Sequence, residues 1–332
     1  MKRYFNGLDV LKYFAAVGVI AIHSNLPLFK IIGRLGVPFF VITSSFLFFR
    51  KEKSKIIFSR IKKFEFRIAM LFISWELFYL PLAIFHIIKW IDKFKGNFII
   101  KIIDCLFYFF YPVPYTLNGW GPSWYLIGMF VGVPVFVLLL KLSKNNLIIV
   151  GLICLILEIY YILANEFNFI THFNNFGTYS FPRLLIYIFS GYLIAKYYQK
   201  LDAISFKYLI CFFILFLSIF LLENFLIYLN GGSINSEEVI SLLPTSFVLV
   251  LFGLRWNPNL DKYKNSFLRN SSTFLYCFQA WPFFFINKLV VQESFVIEFC
   301  VFIFVLGSCQ LAFLIFNNIK IKTEWKLFSY MV

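Results

Sequence analysis

Apolar runs separated by short, mostly basic connections recur along the whole chain. A helix needs about twenty apolar residues to cross the roughly 30 Å hydrocarbon core of a bilayer. Runs of that kind fall near residues 8–26, 31–49, 66–90, 122–141 and 146–164, then near 181–198, 207–229, 238–255, 270–291 and 295–317. The pattern predicts an all-α, polytopic membrane helical bundle of about ten transmembrane helices. A further apolar stretch over residues 98–111 is too short for a comfortable span, and is expected to lie in the interface or to re-enter. No internal repeat, low-complexity linker or soluble domain interrupts the pattern, so residues 1–332 read as a single domain.

The first run carries the clearest polar signal. Between Lys12 and His23 lie eleven residue steps, about three helical turns and roughly 16 Å of rise, so both side chains share one face. Asp9, one turn before Lys12, and Ala16 and Val19 between the two complete the stripe. Ionisable groups inside an apolar helix are costly and mark functional sites. Structural alternatives exist: a histidine at a helix end can anchor at headgroup level, and a lysine can snorkel to the surface.

Composition agrees with a membrane protein. The chain is 61% hydrophobic and only 14% charged, against about 45–50% apolar and 25% charged in soluble domains. Its formal net charge of +15 is spread over short clusters between the runs, which are topology signals rather than a nucleic-acid surface. Residues 50–63 hold seven Lys or Arg, and Lys141, Lys144, Lys196, Lys200, Lys207, Arg255, Lys262, Lys264, Arg269, Lys320, Lys322 and Lys326 mark the other basic connections. These alternate with poorly basic loops at 165–181 and 230–238, which predicts that both termini are cytoplasmic. The loop over 89–121 disagrees, carrying Lys89, Lys93, Lys95 and Lys101 on the side assigned outside. Six isolated Cys support neither a disulfide framework nor a metal site. The first run lacks a small-residue cleavage site and is expected to stay in the mature chain.

On this topology Lys12 lies in the cytoplasmic half of its helix and His23 near the outer end. Arg34, Trp120, Trp124 and Arg183 share the outer side, with Glu158 towards it and Glu76 near mid-depth. Residues 50–67 form a dense cytoplasmic cationic patch, and His86 and His172 sit in outer connections or span ends. Polar groups thus occupy both mouths of the bundle, which suits chemistry carried across a membrane.

Several stretches resemble the acyltransferase 3 family of integral membrane enzymes that acylate glycans. They are Gly7-Leu8-Asp9-Val10-Leu11-Lys12, the basic-x10-His spacing from Lys12 to His23, and Val37-Pro-Phe-Phe-Val-Ile-Thr-Ser-Ser-Phe46. Arg60 to Arg67 leading to Trp75, Trp124-Tyr125-Leu126, Ile188-Phe-Ser-Gly-Tyr-Leu193 and Ser272-Thr-Phe-Leu-Tyr276 extend the resemblance over the whole chain. Lys12 stands where the family usually has Arg, Ser45 where it has Gly, and Gln279 where a His is common.

The resemblance implies a membrane O-acyltransferase, most often an O-acetyltransferase, in a multi-pass cell membrane, the bacterial inner or plasma membrane. His23 is then the catalytic base, with Lys12 and Asp9 beside it in the motif. Arg67, or Arg60 with Lys63, corresponds to the family's basic pair and is expected to bind the phosphates of acyl-CoA, used as co-substrate with no bound cofactor and no metal. Arg34, Trp124 and Arg183 are the candidates for the acceptor or the oxyanion. His23 acts on an acceptor hydroxyl as general base or through a covalent acyl-histidine relay. The expected acceptor is a cell-surface or exopolysaccharide sugar or a glycolipid precursor, with the lipid bilayer as the other partner and no nucleic acid. Two other classes share the bundle. A polysaccharide or lipid-linked sugar flippase would carry inverted repeats and broken helix pairs, which the sequence lacks. A scaffold would have no use for embedded cations.

Overall fold

The computed structural model describes residues 5–24, 26–50, 57–91, 95–110, 119–165, 181–230, 239–287, 289–290, 294–323 and 330–332. The chain runs through α1 (Asn6–His23), α2 (Pro27–Gly33), α3 (Gly36–Phe49), α4 (Ile57–Trp90) and α5 (Phe98–Phe110). A 3₁₀ turn (Gly121–Ser123) leads into α6 (Trp124–Leu142), α7 (Leu147–Asn165), α8 (Phe181–Lys196), α9 (Tyr198–Asp202) and α10 (Phe206–Leu229). The last elements are α11 (Leu242–Arg255), α12 (Lys262–Phe278), α13 (Ala280–Ile286) and α14 (Phe295–Thr323). Among the described residues there is no strand, and six helices are long and apolar enough to cross a membrane. Residues 51–56 of the basic run and the loop residues 111–118, 166–180 (with His172) and 231–238 lie outside the described residues.

Several boundaries differ from the hydropathy reading, each for a local reason. The second run bends: Pro27 opens α2 at a position where its missing N–H costs nothing, and a turn at Arg34 and Leu35 separates α2 from α3. A Cβ on Gly33 would lie 2.3 Å from the Gly18 carbonyl oxygen, so the elbow rests directly on the α1 backbone. Helix α4 starts nine residues before the expected 66. Its 34 residues span about 51 Å, more than the hydrocarbon core, so its first turns carry Arg60, Lys62 and Lys63 out of it. The ninth run divides because Pro282 has no N–H for the Phe278 carbonyl. Helix α5 matches the short apolar stretch, and Phe98, Ile99, Ile103 and Phe107 point away from the bundle.

Side-chain pairings give the helix directions. Asn6 meets Asn265, Asp9 meets Arg269 and His23 meets Phe283, so α1 runs parallel to α12 and α13. Phe5 packs on Phe46 at the far end of α3, which makes α3 antiparallel to α1. Helix α4 is parallel to α12, through Trp75 with Phe274 and Phe78 with Phe278. Trp124 with Arg183 and Phe136 with Tyr192 align α6 and α8. Glu223 of α10 accepts the N–H groups of Ile240 and Ser241 at 2.9 and 2.8 Å, satisfying donors where α11 begins. These directions bring Lys12, Arg50, Arg60, Arg255 and Arg269 to one end of the molecule and His23, Arg34 and Arg183 towards the other.

Among the described residues the two larger apolar clusters tie most of the helices together, and a third, of Ile31, Leu35, Phe220, Val239 and Leu242, joins the α2–α3 elbow to α10 and α11. Phe39, Phe46, Phe136 and Tyr187 join α3, α6 and α8; Trp75, Tyr79, Trp120, Phe274 and Phe313 join α4, α12 and α14 to α1. Large apolar side chains such as Ile84, Ile156, Ile214 and Leu222 remain exposed on the outer helix faces, as a hydrocarbon solvent requires. Helices α3 and α8 approach so closely that a Cβ at Gly191 would lie 2.5 Å from the Ile42 carbonyl oxygen and 2.6 Å from Ser45 Cβ. Gly191→Ala is therefore expected to destabilise the bundle by about 1–3 kcal/mol through overpacking. An unchanged melting temperature of the purified variant would contradict that packing.

Candidate active site

The α1 stripe begins with Asp9, which is buried, and Lys12. Lys12 Nζ lies 3.6 Å from Asp9 Oδ1. Because α12 runs beside α1 in the same direction, Arg269 reaches the second carboxylate oxygen of Asp9 at 3.9 Å. Asp261 caps the start of α12, its side chain accepting the Lys264 N–H at 2.7 Å. That bond holds the Asp261 carboxyl below its usual pKa range.

Lys12 and Arg269 open onto a cavity of about 700 Å³. Arg67 of α4 and Lys320 of α14 also line it, so four cations from four helices surround the space, with Asp9 behind two of them. Low-dielectric walls focus such a field, and the arrangement favours a polyanion. Ser266, Asn270, Ser272 and Thr273 add polar groups along the α12 wall. Phe40, Tyr125 and Tyr276 stand further in. The Tyr125 and Ser44 hydroxyls are 3.3 Å apart, and the Tyr276 hydroxyl donates to the Pro122 carbonyl at 2.9 Å. Val332 also contributes to the lining, anchored by its neighbour Met331, whose carbonyl accepts the Trp75 indole N–H at 3.1 Å.

The expected site residues separate into distinct places. Arg67 lines the cavity, whereas the Arg60 guanidinium donates to the Phe48 carbonyl and lies over the Phe48 ring at 5.4 Å, capping the end of α3. Lys63 is exposed and does not line the cavity. His23 is exposed at the far end of α1 with its ring against Phe283, 6.0 Å between centroids, so the helix that joins it to Lys12 also holds the two apart. Arg34 follows α2 on the same side as His23, partly buried at the elbow.

Trp124 and Arg183 come together. The guanidinium stands 5.7 Å from the indole ring and both residues are buried. Glu158 is the charged neighbour of Arg183 and accepts the Tyr187 hydroxyl at 3.1 Å, so α6, α7 and α8 share one buried polar group. It lies behind the cavity wall, since Trp124 and Tyr125 point about 100° apart around α6. Glu76 is buried on α4. His86 packs against Phe284 and close to Gly119.

Sequence reasoning assigned no site role to Arg269, Lys320, Tyr125 or Tyr276. Arg269 and Lys320 were legible as basic connections. Their convergence on Lys12 depends on α12 and α14 packing against α1, which no local spacing reports. Among the described residues no group of His, Cys, Asp or Glu is arranged to hold a metal ion.

The model of an acyltransferase domain family matches residues 5–314. No curated protein and no solved structure matches the chain. The matched span takes in α1 with Lys12 and His23, the cavity walls on α4, α6 and α12, and most of α14. The chain therefore belongs to the acyltransferase 3 family and is a membrane acyltransferase.

Proposed function

We propose that the protein moves an acyl group, in the first instance acetyl, from cytoplasmic acyl-CoA to a hydroxyl of a cell-surface or exopolysaccharide sugar or its lipid-linked precursor. The observation that carries this reading is the convergence of Lys12, Arg67, Arg269 and Lys320 on one cavity. Coenzyme A presents a diphosphate and a further phosphate, and charge-assisted bonds to such groups are strong. The cavity lies at the bundle end where the basic connections gather, which supports a cytoplasmic placement of that end.

In this mechanism the phosphates rest among the four cations and the thioester points along α1 towards His23. His23 takes the proton of an acceptor hydroxyl as that oxygen attacks the thioester carbonyl. The tetrahedral intermediate collapses with cleavage of the carbon–sulfur bond, the ester forms, and the coenzyme A thiolate takes up the proton. In this reading Arg34, on the same side as His23, stabilises the oxyanion or holds an acceptor phosphate. Trp124 and Arg183 present an aromatic face and a guanidinium, chemistry suited to a sugar. Lysine at position 12 supplies a point charge where arginine would supply a planar fork, so it contributes charge to phosphate binding more than orientation.

Membrane vesicles of known orientation test the reading. Acetyl-labelled acetyl-CoA is supplied to one face at a time, with native glycan acceptors present. Label is expected in the glycan only when the donor meets the face bearing Lys12 and Arg269. Label from the opposite face alone would reverse the topology, and its absence with acetyl-CoA and longer acyl donors would refute the proposed donor class.

A further inference from the structure

Between the cation cavity and His23 runs the seam where α1 lies parallel to α12 and α13. Its two ends are marked by Asp9 with Arg269 and by His23 with Phe283. Arg269, Tyr276, Gln279 and Phe283 recur along α12 and α13 at three-, four- and seven-residue intervals, so they lie on one helical face. Gln279 keeps right-handed helical backbone angles, so the face continues across the interruption that Pro282 introduces.

Gln279 is 1% exposed. Its Nε2 donates to the Tyr276 carbonyl at 2.9 Å. Its Oε1 is buried and has no hydrogen-bond partner among the described residues. A buried amide oxygen without a donor carries an uncompensated desolvation cost, whereas leucine or methionine would fill a similar volume without one. The position lies beyond Tyr276, which lines the cavity, and before Phe283, which touches His23. A donor whose phosphates sit among the cations and whose thioester reaches His23 passes this depth with its connecting arm. In coenzyme A that arm carries two secondary amides, each with an N–H.

We propose that Gln279 Oε1 accepts an N–H from the amide-bearing arm of the acyl-CoA donor, a role that rests on the donor reading given above. Binding then supplies a donor that the described residues do not offer this oxygen. The residue is a binding residue for the arm, distinct from the cations that hold the head.

The test uses the full chain in lipid nanodiscs, with thermal stabilisation by two probes. Coenzyme A carries head and arm, and adenosine 3′,5′-bisphosphate carries part of the head alone. Gln279→Leu is expected to melt no lower than the wild type without ligand, since it removes a buried unsatisfied group. Its affinity for coenzyme A should fall about 3- to 10-fold, the effect of one neutral hydrogen bond, with affinity for the bisphosphate unchanged. Gln279→Met is expected to behave the same way and serves if the leucine variant folds poorly. Wild-type affinity for coenzyme A in either folded variant would overturn the proposal, as would an equal loss of both probes. If neither probe stabilises the wild type, the donor reading itself fails, and the role of Gln279 with it.

Discussion

Replacing His23 with alanine is expected to lower the turnover of acyl transfer by about 10²- to 10⁴-fold, the usual contribution of a general base, while the KM for acyl-CoA stays near the wild-type value. The two parameters separate because His23 stands about 16 Å along α1 from Lys12 and outside the lining of the cation cavity. Its exposure and its edge contact with Phe283 also mean that truncation opens no cavity in the packed core. The variant should therefore insert and melt like the wild type, and steady-state kinetics on vesicles with matched protein content report the effect. Retained turnover would remove His23 from the chemistry. A parallel rise in KM would place the donor head nearer His23 than the proposed site among the cations.

Removing the cavity cations should have the opposite signature. Lys12→Ala and Arg269→Ala are each expected to raise the KM for acyl-CoA by about 10- to 100-fold, the loss of a charge-assisted hydrogen bond, with turnover changed less. Both cations share Asp9, at 3.6 and 3.9 Å, so their effects should not add when combined. Because part of the attraction is long-range, the wild-type KM should rise with ionic strength more steeply than that of either variant. Lys63→Ala is the control: Lys63 is exposed and outside the lining, so donor affinity should change little. A larger effect at Lys63 than at Arg269 would move the donor site to the surface patch at the start of α4.

Much of the architecture was legible before folding. The helical class followed from apolar run length, because a backbone in hydrocarbon must satisfy its own hydrogen bonds. The stripe from Asp9 through Lys12 to His23 followed from the 3.6-residue period. The short stretch at 98–111 was separable from the spans by length alone. The bend at Gly33 to Gly36 was harder to read, because hydropathy does not register that the α1 backbone occupies the space a side chain would need.

Residue type and spacing along the chain thus decided the all-helical membrane class and the placing of a cation and an imidazole on one helix, since both depend on local geometry and on transfer to hydrocarbon. Only the tertiary structure decided which cations surround a common space. Arg269 and Lys320 lie more than 250 positions from Lys12 and join it through helix packing. Arg60, close to Arg67 in sequence, was drawn instead to the end of α3 by an unsatisfied carbonyl. The burial of Gln279, with an oxygen that is unpaired among the described residues, was likewise settled by the packing around it. Charge along a chain is a local property; the field inside the cavity is a sum over helices whose adjacency the chain acquires only on folding.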